Sequence, residues 1–349
     1  MNKKILLLGW GYPPNIDGGL DIHVKHLFEE LQKRDDVEVK LALPQDRAPE
    51  KENIVGLDVG EGDMVWKARE MSSQVAELAD DFDIIHTHDW FGAEAGFKAQ
   101  KYSDCSWVST IHSLASGRSR EHHDGEVTDL EKLAVEKPGK AIAVSNKLAE
   151  EVESEHGEKP KVIYNGFSKP QGKGQDIKEK LDIEDNMVFF VGRHAEQKGI
   201  EHLIYGFKKF LKNGGEATLV IGGDGEMRES LEKFAEMLDI HENTIFTGFI
   251  PTEELGDYYK CADLFVSPSI NEPFGLTISE ALESGTPVLA TENGVSEFIS
   301  GDSIIEIDPD SDSIAEGLKK GLRQDIVVDE ESRSWGEMTD EIIEIYRNL

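Results

Sequence analysis

"NEPFGLTISEALESGTPVLAT", residues 271–291, is the stretch on which the fold reading turns. It follows one apolar run, "DLFVSP", and ends in another, "TPVLAT", so a loop and a helix stand between two strands. That order, strand to loop to helix to strand, is the unit of a parallel α/β sheet. Pro273 and Gly275 suit a loop whose backbone N–H groups are free to meet a phosphate where the helix begins. Glu280 is expected two turns into that helix, within reach of a ribose, and Glu272 in the loop can hold sugar hydroxyls. An ionised carboxylate fits both tasks because it accepts several hydrogen bonds.

Working outward, "VGRHAEQKG" at 191–199 places Arg193 and Lys198 just after another strand, flanked by Gly192 and Gly199. Two cations at a strand-to-helix junction suit a diphosphate, and the following helix adds its N-terminal dipole. Each charge-assisted hydrogen bond contributes about 1.5–3 kcal/mol. Near the start of the chain, "KKILLL" runs into "GWGYPPNIDGG", residues 9–19. Gly9 and Gly11 match the first two positions of a dinucleotide fingerprint, but Pro14 holds the third, beside Pro13. Two prolines fix φ and remove N–H donors, so no helix opens there and a plain dehydrogenase turn is excluded. Gly18 and Gly19 come later, just before a segment with Leu20, Val24, Leu27, Phe28 and Leu31 on one helical face.

The same alternation fills the chain. "KKILLL", "VEVKLAL", "DIIHTH", "SWVSTIH", "AIAV" and "KVIY" are followed by a Gly-, Pro- and Lys-rich break at "NGFSKPQGKGQD". A second series then reads "MVFFVG", "ATLVIGG", "NTIFTGF", "DLFVSP", "TPVLAT" and "SIIEI". Runs of consecutive Ile, Val and Leu predict strands buried on both faces of a parallel sheet. With 349 residues, two doubly wound domains are expected, 1–165 and 166–331, facing across a cleft. The C-terminal helix within 332–349 is expected to pack back on the first, with a hinge at 165–175 that closes on donor binding.

The 70 acidic and 37 basic residues leave a net charge of −33, which repels nucleic acid and anionic membranes. At about 1 M salt the Debye length falls to about 3 Å, so such a surface suits concentrated salt, as in a halophile's cytoplasm. No apolar run approaches the roughly 18 residues of a membrane helix, and a cytoplasmic protein is expected. Cys105 and Cys261 form neither a metal pattern nor a disulfide framework. His86 and His88 share one strand face. A His-x-His pair can bind zinc, but spacing offers no third ligand, so a packed pair is expected. His122 and His123, in a polar stretch, are expected to be solvated, and Asp81 and Asp83 make no metal motif.

The Arg-x4-Lys pair, the Glu-x7-Glu element "EPFGLTISE" and "ALESGTPVLATENGVSEFI" after it resemble the retaining nucleotide-sugar glycosyltransferases of family 4. "HTHDW" and "TIHS" followed by "GRSR" are similar to the glycogen and starch synthase branch. The resemblance covers nearly the whole chain and implies the GT-B fold, two Rossmann-like domains. It implies that Arg193 and Lys198 neutralise the donor diphosphate and that Gly275 and Leu276 donate N–H bonds to it. Glu280 would hold the ribose, Glu272 would orient the transferred sugar, and Gly18 and Gly19 would close over the phosphates. Asp89 and His112 match positions that face the donor glucose in glycogen synthases. No metal or other cofactor is implied. The expected reaction is glucosyl transfer from UDP- or ADP-glucose to an α-1,4-glucan. Transfer to a lipid, surface glycan or small sugar is the first alternative, and a non-catalytic nucleotide-sugar binder the second. Three departures stand out: Ile16 where those synthases place lysine, Asn293 in place of a common glycine, and His194 in place of an aliphatic residue.

Overall fold

A computed structural model describes residues 3–118, 125–299, 301–324, 326–328 and 332–349. His122 and His123 lie outside the described residues. The chain forms two compact units, one of Met1–Gly166 with Arg333–Leu349, the other of Phe167–Ser332.

The first unit is built on β1 (Lys3–Leu8), β2 (Val37–Pro44), β3 (Ile54–Leu57), β4 (Ile84–His88), β5 (Ser106–Ile111), β6 (Lys140–Ala143) and β7 (Lys161–Val162). All pair in parallel, in the order β3-β2-β1-β4-β5-β6-β7. The central strand explains itself: Ile5, Leu6, Leu7 and Leu8 are all fully buried, which only a strand covered on both faces permits. The helix Gly19–Leu31 buries Val24, Leu27, Phe28 and Leu31, and Leu20 packs, part-buried, against the core cluster that includes Leu6, Leu8, Trp90 and Phe91. β3, which the alternation did not reveal, is four residues long, contains Gly56 and sits at the sheet edge. A short strand interrupted by glycine carries almost no periodic signal.

The C-terminal helix Trp335–Arg347 is part of this unit. A capping box between Ser334 and Glu337 starts it, and Met338, Ile342 and Tyr346 are buried along one face. Ion pairs Arg34–Asp340 at 2.8 Å and Arg347–Asp36 at 3.0 Å flank that face. Tyr346 reaches furthest in, with its hydroxyl 2.6 Å from His86 Nδ1.

The second unit contains β8 (Met187–Val191), β9 (Thr218–Gly222), β10 (Thr244–Gly248), β11 (Leu264–Ser267), β12 (Val288–Ala290) and β13 (Ile304–Glu306). Their order is β10-β9-β8-β11-β12-β13, again all parallel. In both sheets the strand order thus reverses beside the first strand, and loops leaving the C-terminal ends of strands on either side of that point are where such sheets bind ligands. The helix Ile200–Lys212 buries Leu203, Ile204, Phe207 and Phe210 in the core beneath β8 and β9.

Candidate active site

In the second unit the candidate residues converge on the loops that leave β8 and β11. Past β8 the chain turns through Arg193, forms one 3-10 turn at Glu196–Lys198 and reaches Gly199 at φ +63°. A Cβ on Gly199 would stand 2.2 Å from the Pro268 carbonyl oxygen. Only glycine therefore lets the two loops touch, and the Ile270 N–H donating to the Gln197 carbonyl at 2.8 Å stitches them.

That contact brings Lys198 and Glu272 together. Lys198 Nζ donates to Glu272 Oε2 at 2.8 Å, and Ser269 Oγ donates to the same oxygen at 3.1 Å. Glu272 is buried, so it needs both donors. Arg193, like the exposed Arg323, differs from most of the described arginines. Arg34, Arg47, Arg69, Arg228, Arg333 and Arg347 each face a carboxylate. Arg193 is exposed and, among the described residues, its guanidinium has no ion-pair or hydrogen-bond partner. In a chain of net charge −33, an uncompensated cation one residue past a glycine at a strand end is free to meet an anion.

The helix Leu276–Glu283 starts after Gly275, whose φ is +98°. The N–H groups of Leu276 and Thr277 have no carbonyl of their own helix to meet, whereas that of Ile278 already donates to the Gly275 carbonyl at 3.0 Å. Because the helix begins at Leu276, Glu280 lies one turn in, where two were expected. Tyr259, fully buried on the helix Thr252–Cys261, donates its hydroxyl to Glu280 Oε2 at 2.9 Å. Burial pushes the Glu280 carboxyl up to about 7, and the Tyr259 hydrogen bond only partly offsets it. The sign of the consequence is fixed. A folded pKa above the unfolded one makes stability fall as pH rises from about 4.5 to about 7. Glu280→Gln, which cannot ionise, should remove that decline and melt higher than wild type at pH 8. Parallel melting slopes for the two proteins between pH 5 and 8 would refute it.

Two departures noted in the sequence have structural reasons. Asn293 is buried, donates to the Thr291 carbonyl at 2.7 Å and accepts from the Ser296 N–H at 3.0 Å, so it holds its turn by side-chain bonds. His194 is buried with Nε2 3.3 Å from the Gly222 carbonyl oxygen, a polar tie between the loop after β8 and the end of β9.

In the first unit, Gly18 caps the helix that starts at Gly19. The preceding loop is shaped by Asp21, a buried carboxylate that accepts from the Asp17 N–H at 2.8 Å. Gly11 is small because a Cβ there would lie 2.4 Å from the Asn15 carbonyl oxygen and 2.8 Å from Asp21 Oδ2. Asp89, at φ +51° after β4, accepts the backbone N–H of His112 at 2.6 Å. This joins the ends of neighbouring strands β4 and β5. His86 and His88 do share a face, with ring centroids 4.7 Å apart. Their setting differs from a simple pair: His88 Nδ1 is 3.2 Å from His112 Nε2, and His23 of the helix Gly19–Leu31 packs on both His88 and His112. Sequence spacing gave no sign of His23, Asn165, Asp21, Ser269 or Tyr259. His23, Asn165 and Tyr259 acquire their neighbours only when separate elements pack, whereas Asp21 and Ser269 bond within their own loops, to Asp17 and Glu272.

Two family models match the chain. "Glycosyl transferases group 1" matches residues 173–341 and "Glycosyltransferase Family 4" residues 17–168. An uncharacterized glycosyltransferase of Methanocaldococcus jannaschii is 33% identical, over 99% of this chain and 98% of its own length. The α-maltose-1-phosphate synthase of Mycolicibacterium smegmatis is 24% identical over 99% of both chains. Among solved structures, the sucrose-phosphate synthase of Thermosynechococcus elongatus superposes with a TM-score of 0.84 at 20% identity, over 99% of both chains.

Proposed function

We propose, for a chain that belongs to the GT-B glycosyltransferases of family 4, that it transfers glucose from a nucleotide-diphosphoglucose, UDP- or ADP-glucose, to an α-1,4-glucan with retention at the anomeric carbon. The observation that carries the donor half is the loop pair after β8 and β11. It sets the unpaired Arg193 and the Lys198–Glu272 ion pair on two stitched loops, with the open start of the helix Leu276–Glu283 following Glu272. A diphosphate displaces no carboxylate from Arg193, and it shares Lys198 with Glu272. Glu280 then accepts ribose hydroxyls, and Glu272 turns its second oxygen to the sugar.

In the proposed step the bond from the anomeric carbon to the diphosphate oxygen breaks as the acceptor hydroxyl bonds to the same face. The hydroxyl proton passes to the departing diphosphate. Charge developing on that group is stabilised by Arg193, Lys198 and the N–H groups of Gly275 and Leu276. No side chain is assigned as a covalent nucleophile. Gly18 and Gly19 are assigned to the donor phosphates, and Asp89 and His112 to the transferred glucose. The glucan acceptor rests on the likeness of "HTHDW" and "TIHS" to the glycogen synthase branch. The α-maltose-1-phosphate synthase relative favours a second reading, in which a small glucosyl phosphate accepts the sugar.

The test is a donor panel in about 2 M KCl, where the acidic surface is screened. Nucleoside diphosphate release is followed with UDP-glucose, ADP-glucose and other UDP-sugars, alone and with glycogen or glucose 1-phosphate. Glycogen-dependent release from one glucose donor is expected. Release only with glucose 1-phosphate would replace the polymer by the small acceptor. Binding without release under any acceptor, lipids included, would leave a nucleotide-sugar binder.

The same charge supports a cytoplasmic home at high salt. Raising KCl from about 0.1 M to about 2 M should raise the melting temperature steadily, because screening removes self-repulsion between carboxylates. A flat or falling curve would end that proposal.

A further inference from the structure

The first unit gathers three histidines, of which the proposed transfer step uses His112 alone. One ring nitrogen each of His23, His88 and His112 lies within 4.8 Å of those of the other two. The 3.2 Å between His88 Nδ1 and His112 Nε2 is close to the edge, about 3.3 Å, of a tetrahedron with metal–nitrogen bonds of about 2.0–2.1 Å.

A proton inventory sharpens this. His23 Nδ1 is 2.7 Å from Asn165 Oδ1. An amide oxygen only accepts, so Nδ1 carries the proton and Nε2 presents a bare lone pair. That Nε2 is buried with no hydrogen-bond partner. Leaving such a group unmatched costs about 1–3 kcal/mol. A neighbour that fixes the tautomer by taking the other ring N–H is how metal-ligating histidines are held. Asn165 stands in that place for His23. His23 and His88 are buried and His112 is part-buried, so the cluster lies out of bulk water. Asp89, buried between His88 and the N–H of His112 that it accepts, supplies a negative charge beside a cation.

We infer that His23, His88 and His112 form a three-histidine site for a first-row transition-metal dication of the zinc type, with Asn165 as its outer partner. Three protein ligands leave such an ion one open position for water or a hydroxyl. The inference does not depend on the transfer reaction, and its readouts stand whether or not transfer is observed.

The experiment uses the full chain, stripped with chelator and titrated first with Co2+ and then with Zn2+. One equivalent of cobalt should bind with the intense visible absorption of a tetrahedral nitrogen site, and zinc should displace it. His23→Gln and His112→Gln should each weaken binding at least tenfold, and Asn165→Ala by about tenfold. His241→Gln, on the exposed surface, should leave it unchanged. Zinc should raise the melting temperature of the wild type and leave that of His23→Gln unmoved. Should His23→Gln fail to fold by circular dichroism, the part-exposed His112→Gln and the Asn165→Ala variant decide. No stoichiometric binding would overturn the inference. So would a pale octahedral cobalt spectrum that none of the histidine variants changes, which belongs to surface carboxylates.

Discussion

Arg193→Ala is expected to lower turnover by about a hundred- to a thousand-fold while leaving the melting temperature within a degree or so of wild type. The asymmetry follows from its surroundings. The side chain is exposed and holds no carboxylate, so nothing in the fold is left unmatched by its removal. On the proposed function its only task is to meet the leaving diphosphate. Lys198→Ala should cost a similar factor in turnover, but with a measurable loss of stability. It strands the buried Glu272 with Ser269 as its one remaining donor, a penalty of about 1–3 kcal/mol. Steady-state kinetics with the donor identified in the panel, paired with thermal melts, separate the two. Near-wild-type rates in both variants would end the assignment of these cations to the diphosphate.

Gly199→Ala should impair both fold and activity through one contact. The new Cβ would have to sit 2.2 Å from the Pro268 carbonyl oxygen, at a φ of +63° that costs an L-residue about 1–2 kcal/mol by itself. Backbone cannot yield as a flexible side chain does, so the loops after β8 and β11 must part. A total loss of about 3–5 kcal/mol is expected. The Lys198–Glu272 pair spans that junction, so turnover should fall at least tenfold even at temperatures where the variant is fully folded. A variant that melts and turns over like wild type would mean that the two loops are not locked together by this approach.

Much of the architecture is written locally. The consecutive burial of Ile5 to Leu8, the five-residue helical face from Leu20 to Leu31 and the six apolar runs after residue 176 each declare their element by composition and period. Those signals are short-range, and a parallel sheet needs little more. The residues proposed to meet the donor stand in compact sequence patterns after strand ends, Arg193 with Lys198 and Glu272 with Glu280. β3 escaped because four residues and a glycine are too short for a pattern. The turn count before Glu280 was off because the helix begins at Leu276, after a left-handed Gly275 that sequence alone does not place.

The partners of those residues belong to the tertiary structure. Nothing in the local pattern says that Tyr259 will meet Glu280, that Ser269 will share Glu272 with Lys198, or that His23 will find Asn165, which lies 142 positions away. The two imidazoles that spacing withheld from His88 come from two different elements, His23 from a helix and His112 from the end of β5. Periodicity reports which side of its own element a residue faces, and so the sequence by itself determined the two α/β sheets and the loops that bear the chemistry. Which buried polar group faces which is set by how separate elements pack. Burial then decides the rest here, raising Glu280 to about 7 and keeping the histidines neutral. Desolvation is a property of the assembled core, and no stretch of chain carries it alone.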